Sequence, residues 1–168
     1  MTLHAAGASD GVLDLEPLHV NHAAEMAQVL AEPSLYRFTG GDPPSLGTLR
    51  QRYVRQSRGV SPDGSQVWMN WIIREAQSSR AVGYVQATIP LDAAPVAASL
   101  AWLIHPEHQG RRFAMRATSL VIHQLRGHGV TEFRASIADG HVASERVAAR
   151  LGMRRTAELD DGEVVWRL

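Results

Sequence analysis

Residues 100–114 read Leu100-Ala101-Trp102-Leu103-Ile104-His105-Pro106-Glu107-His108-Gln109-Gly110-Arg111-Arg112-Phe113-Ala114. The apolar residues Leu100, Trp102, Leu103 and Ile104 predict a strand over 97–104, and Pro106 and Gly110 predict a loop over 105–111. A helix is expected over about 113–126. Ala114, Ala117, Thr118, Val121, Ile122 and Leu125 share its apolar face, and Gly127 and Gly129 stop it. A strand therefore feeds a polar loop that opens directly into a helix. The free N–H groups of a helix start, aided by the helix dipole, attract anions. Arg111 and Arg112 add charge at that point, so a pyrophosphate is the natural guest. The stretch reads equally as an ordinary strand-to-helix turn with solvated arginines.

Upstream, alternation through Val12, Leu13, Leu15 and Leu18 predicts a strand over 12–18. A helix over 19–31 buries Ala23, Met26, Ala27 and Leu30 and ends at Pro33. After a loop over 34–44, Ser45 caps a helix whose apolar face is Leu46, Leu49 and Tyr53. Residues 59–64 form a turn, then strands run over 66–75 and 81–89, joined by a short hairpin at 76–80. A turn containing Pro90, Asp92 and Pro95 leads into the strand at 97–104.

Downstream, a strand over 131–138 precedes Asp139, which is expected to cap a short helix over 141–151. A terminal hairpin follows, its strands at 153–159 and 163–168 flanking Asp160-Asp161-Gly162. The fold class is mixed α/β: a mostly antiparallel, twisted sheet of about seven strands with helices on both faces.

A length of 168 residues favours one domain with a sizeable core, expected over 12–168, with 1–11 as a flexible N-terminal tail. The tail lacks the charged start and apolar stretch of a signal peptide, and no apolar run reaches the roughly 18 residues that span a bilayer. With no cysteine, disulfides, thiolate metal sites and a cysteine nucleophile are excluded. The eight histidines show no metal-ligand spacing, so no metal is expected. Seventeen basic and 17 acidic residues balance, and every basic residue other than histidine is arginine. Such a chain lacks the field of a nucleic-acid binder. A cytoplasmic protein without a nucleic-acid or membrane partner is expected.

Gln109-Gly110-Arg111-Arg112-Phe113-Ala114 resembles the Gln/Arg-x-x-Gly-x-Gly/Ala loop of the GNAT (general-control-related N-acetyltransferase) superfamily, which wraps the coenzyme A pyrophosphate. The preceding Trp102-Leu103-Ile104-His105-Pro106 resembles that family's fourth strand, whose backbone pairs with the pantetheine arm. Residues 141–153, His141-Val142-Ala143-Ser144-Glu145-Arg146-Val147-Ala148-Ala149-Arg150-Leu151-Gly152-Met153, resemble Asn-x-x-Ser-x-x-Val-x-x-x-Leu-Gly-Phe of the RimJ/RimL-like branch. The element order matches the family from about Val12 to Leu168. The chain departs from its pattern at four positions. Arg112 stands where glycine is usual, His141 where asparagine is common, Ser99 near a frequent glutamate, and Ala148 where other branches carry a tyrosine acid.

The resemblance implies an acetyl-CoA cosubstrate held by Leu103, Ile104, Gln109, Gly110, Arg111, Arg112, Phe113, Ala114 and Ser144. It implies acetyl transfer to a primary amine, of a small molecule or a protein N-terminus, by direct attack in a ternary complex. Ser144 is the first choice for the thiol-side hydrogen bond, its other reading being a first-turn serine that satisfies its own helix. A backbone N–H of Leu103 or Ile104 is suited to polarising the thioester carbonyl. His141 is suited to taking a proton because histidine titrates near neutrality, or it is a plain helix-start residue. Tyr36, Phe38, Trp68 and Asn70 are candidates for an acceptor groove, with one of Trp68 and Trp71 in the core. A monomer or homodimer is expected. The alternative function is a non-catalytic GNAT-fold protein that binds coenzyme A or a protein partner.

Overall fold

The computed structural model describes residues 3–92 and 96–168. Met1 and Thr2 of the expected tail, and Pro95 of the turn before the strand at 97–104, lie outside the described residues. Strands β1 (Ala8–Ser9), β2 (Leu13–Pro17), β3 (Gln66–Glu75), β4 (Ala81–Pro90), β5 (Ala97–Ile104), β6 (Glu132–Ile137), β7 (Arg154–Asp160) and β8 (Glu163–Arg167) form one sheet in the order β1-β2-β3-β4-β5-β6-β8-β7. Among the described residues, only β5 and β6 pair in parallel. That is the pairing a crossover helix dictates, and α3 (Phe113–Gly127) supplies the crossover.

Adjacent residues of a strand face opposite sides of the sheet, and β3 shows how this chain uses both. Trp71 and Ile73 pack into a large cluster with Phe113, Val121 and Leu125 of α3 and Ala148 of α4 (Val142–Arg150). Ile72, between them, packs with Met26 of α1 (Ala23–Val29) and Leu49 and Tyr53 of α2 (Leu46–Gln56). Helices thus cover both faces, as the sequence pattern predicts.

Several local readings change. The sheet has eight strands rather than about seven, because Ala8 and Ser9 pair with Leu15 and Asp14. Residues of the expected tail are thereby tied down: Trp71 Nε1 donates to Ala6 O at 2.8 Å, and Asp10 ion-pairs with Arg116 at 2.7 Å. The helix expected over 19–31 is a 3-10 turn (Val20–His22) followed by α1, and Pro33 opens a second such turn (Pro33–Tyr36). His141 caps α4 instead of Asp139: its Nδ1 accepts from Ser144 N–H at 3.3 Å, while Asp139 ion-pairs with Arg155. Leu46, expected on the apolar face of α2 with Leu49 and Tyr53, is exposed, while two other local readings hold. Ser45 Oγ accepts from Thr48 N–H at 3.1 Å, and Asp161 and Gly162, both at positive φ, make the two-residue turn between β7 and β8.

One clasp locks the sheet to α1. Arg74 binds Glu16 of β2 and Glu25 of α1, Glu25 also accepts from Ala81 N–H at 3.1 Å, and His22 meets Glu16 at 3.1 Å.

Candidate active site

The cleft begins where two strands part. β5 pairs with β4 as far as Ile104 opposite Gly83, but with β6 only through Ala97, Ala98 and Ser99. From Leu100 onward its second edge has no strand partner, and a cleft of about 950 Å³ opens there. Register decides which groups face it. His105 N–H donates to Val82 O, so residues 82 and 105 form a hydrogen-bonded pair, as do 84 and 103 two places on. The intervening Ile104 turns its N–H and C=O away from β4, into the wedge. Gln109 Nε2 donates to that carbonyl at 2.9 Å, leaving Ile104 N–H as the free donor. Leu103 N–H faces β4, so of the two backbone donors expected for a thioester carbonyl, Ile104 is the one available. Gly83 is required beside this bend, because a Cβ there would lie 2.0 Å from Leu103 O.

At the cleft's end the chain turns through Gly110 (φ 77°) and Arg112 (φ 63°) into α3. Left-handed residues alternating with ordinary ones curl successive N–H groups into a concavity suited to an anion. Arg116 N–H makes the first helical bond, to Arg112 O at 3.0 Å, so the N–H groups of Phe113, Ala114 and Met115 precede it. No side chain caps this helix. The geometry explains the family's preference for glycine at position 112: the backbone is left-handed there, at a cost to a non-glycine residue of about 1–2 kcal/mol. Arg112 adopts that conformation and lines the cleft. Arg111 behaves differently. Its guanidinium ion-pairs with Glu75, stacks 4.3 Å from the Phe113 ring centroid and does not line the cleft. Its side chain, expected among the cofactor-binding groups, is thus engaged with Glu75 and Phe113 instead.

Ser144 and His141 meet in the cleft, Ser144 Oγ lying 3.5 Å from His141 Nε2. Phe38, arriving from the early loop, stacks on the His141 ring at 4.2 Å. Because His141 Nδ1 accepts a backbone N–H, the neutral ring carries its proton on Nε2, facing Ser144. That arrangement orients the serine. The proton-accepting use expected of His141 is not open to Nδ1, which already accepts the Ser144 N–H.

Tyr36 and Phe38 line this cleft, whereas Trp68 and Asn70 do not. The latter two lie on a neighbouring pocket of about 330 Å³ that shares Arg52 with the cleft. Trp71 is the core tryptophan, fully buried. Ser99, at the apex of the wedge, accepts from Arg134 Nε at 2.7 Å. Ala148 is buried on the core-facing side of α4 and does not line the cleft.

Sequence reasoning missed Glu163. Among the described residues it is the one carboxylate lining the cleft. Burial raises its pKa above the ordinary carboxylate value, and the neighbouring Asp161 and Asp160 raise it further. Its place beside a terminal turn gives no sequence signal for this. Arg146 and Arg150 were missed too: four residues apart on α4, both line the cleft, and neither has an ion-pair partner among the described residues.

The wedge, the uncapped helix with its left-handed loop and the serine opposite define an acyl-transfer fold. The chain belongs to the GNAT acetyltransferase family: residues 13–154 match the family model for the acetyltransferase (GNAT) domain. Among solved structures it is similar to a Vibrio cholerae protein assigned as a ribosomal-protein-serine acetyltransferase (19% identity, 97% of each chain covered, TM-score 0.75). It is also similar to the microcin C7 self-immunity acetyltransferase MccE in complex with acetyl-CoA and AMP (14% identity, 95% of this chain and 93% of that one, TM-score 0.75). A third is the aminoglycoside acetyltransferase AAC(6')-Ib in complex with coenzyme A (15% identity, 92% of each chain, TM-score 0.73). At these identities the likeness is one of fold. No curated protein matches the chain in sequence.

Proposed function

We propose that this protein is an N-acetyltransferase of the RimJ/RimL-like branch that moves the acetyl group of acetyl-CoA directly to a primary amine. The observation that carries the reading is the continuous cleft from the uncapped start of α3, past the free edge of β5, to Ser144 and Glu163. The pyrophosphate sits against the loop at Gly110–Ala114, with Arg112, Arg146 and Arg150 as the free cationic groups nearby. The pantetheine arm completes the sheet along β5. Ile104 N–H polarises the thioester carbonyl.

In the ternary complex the neutral amine nitrogen attacks the carbonyl carbon, forming the C–N bond. The tetrahedral intermediate collapses with loss of the C–S bond. The amine proton passes to Glu163, directly or through water, and the departing thiolate takes a hydrogen bond from Ser144 Oγ–H and then a proton from solvent. His141 positions Ser144 by donating from Nε2. Holding the two reactants together supplies much of the rate.

The testing experiment is thermal unfolding with and without millimolar acetyl-CoA, followed by an amine screen. A ligand bound at about a hundredfold above its Kd stabilises the native state by roughly 2.7 kcal/mol. No shift in Tm would favour the alternative of a GNAT-fold protein that binds a protein partner. A shift without turnover on any amine would favour a coenzyme A-binding protein without catalysis.

A further inference from the structure

The second pocket lies between α2 and the open face of the sheet. Arg52 and Arg55, three residues apart, reach it from one face of α2. Trp68 and Asn70 of β3 stand opposite Thr88 and Gln86 of β4 and form its floor. No carboxylate among the described residues lines it. Among the described residues, neither guanidinium has an ion-pair partner, while Arg74, Arg111, Arg116, Arg155 and Arg167 all do. Asn70, Gln86 and Thr88 make no side-chain hydrogen bond there, and the Trp68 indole is held in place by its own bond to Gln66 Oε1 at 3.1 Å. The pocket therefore presents two unpaired cations, a row of unspent polar groups and one fixed aromatic wall.

Position ties the pocket to the acceptor. Arg52 lines both it and the main cleft, beside Tyr36 and Tyr84. The loop proposed for the coenzyme's phosphates is elsewhere: none of Gly110, Arg112, Phe113 and Ala114 lines this pocket, and Gln86, opposite Ala101, lies three residues back along β5 from Ile104, about 10 Å along the strand. An anion held by Arg52 and Arg55 is thus a second one, carried by the other substrate. A guanidinium pair grips a carboxylate or phosphate through paired donors, and the carboxamides complete the remaining acceptor sites.

Resting on the transferase reading above, we propose that the acceptor is a small amine bearing a carboxylate or phosphate, bound by Arg52 and Arg55 over the Trp68–Asn70 floor. The pocket selects acceptors by that charge.

The test uses matched pairs of graded chain length: ω-amino acids against their amides, and aminoalkyl phosphates against aminoalkanols. Each is titrated calorimetrically into the full chain saturated with coenzyme A, so that binding is read without turnover. Acetylation of the same compounds is then measured with acetyl-CoA. The anionic member of at least one series binds at least about tenfold more tightly, a difference of about 1.4 kcal/mol. The series that wins distinguishes carboxylate from phosphate. In Arg55→Gln the preference falls below about threefold, and in Arg50→Gln, which removes a charge from α2 outside the pocket, it persists. Equal binding of both members, binding of neither, or a preference unchanged in Arg55→Gln overturns the proposal. Tight binding of an anionic amine that is never acetylated upholds the pocket's role and sinks the transferase reading.

Discussion

The clasp around Arg74 and the walls of the cleft use the same residue types and treat them in opposite ways. In the clasp, Arg74 is shared between Glu16 and Glu25, His22 covers the remaining Glu16 oxygen, and a backbone N–H completes Glu25. In the cleft, Arg112, Arg146 and Arg150 have no ion-pair partner among the described residues, and Glu163 faces like charges in Asp160 and Asp161. The pKa directions follow. Hydrogen bonds from Arg74 hold the Glu16 and Glu25 carboxyls below their ordinary range, while burial pushes that of Glu163 up. A satisfied network stabilises a fold, and a set of unsatisfied groups around a cavity is left for a ligand to satisfy.

Removing the cleft's carboxylate is the sharpest way to break this contrast. Glu163→Gln is expected to lower kcat by about a hundredfold, the lower end of general-base contributions, with acetyl-CoA affinity unchanged by calorimetry. The parent's activity rises with pH through a value above the ordinary carboxylate range, because the base must be deprotonated, and the variant lacks that limb. An unchanged kcat would return the proton-acceptor role to His141. Ser144→Ala is expected to lower kcat by about tenfold or more while leaving acetyl-CoA affinity nearly intact, measured by initial rates beside calorimetry. Equal kcat would leave Ser144 as a helix residue only.

The clasp is tested by stability rather than turnover. Arg74→Met leaves Glu16 and Glu25 without their cation and is expected to cost about 2 kcal/mol in urea unfolding, less than for a fully buried pair because water reaches both carboxylates. Since the fold holds both carboxyls below the ordinary glutamate range, their contribution is present above that range and is lost as pH falls through the depressed values. The parent should therefore lose stability more steeply on acidification than Arg74→Met. The smallest effect belongs to Arg112→Gly, which removes the left-handed penalty and is expected to raise stability by about 1 kcal/mol. It also removes a cation from the loop. A weaker acetyl-CoA affinity with a higher Tm would show that Arg112 accepts backbone strain in return for phosphate contact.

Long periodic elements were legible without the structure. The expected bounds of β3 and β5 coincide with those observed, and α3 differs by one residue, because hydrophobic periodicity and glycine stops report burial directly. Part of the cleft's lining was legible as well: Gln109, Gly110, Arg112, Phe113 and Ala114 share one cleft with His141 and Ser144, and Arg111 alone of that loop turns away from it. Short-range competition was not. Asp139 is an ordinary capping residue by type, yet Arg155, 16 residues away, takes its carboxylate and the cap falls to His141. Alternation put Trp68 and Asn70 on one strand face, but it could not say that they would line a pocket with Arg52 and Arg55 of α2 rather than the cleft with Tyr36 and Phe38.

By itself, then, the sequence determined the order of elements, the strand-loop-helix at Leu100–Ala114 and the short helix that carries Ser144, because each depends on residues close along the chain. Tertiary structure alone decided which arginines stay unpaired, that β5 and β6 part after Ser99, and that Glu163 reaches the cleft from the far end of the sheet. Those outcomes are set by contacts between distant segments, where one partner's presence or absence fixes the charge, solvation and availability of the other.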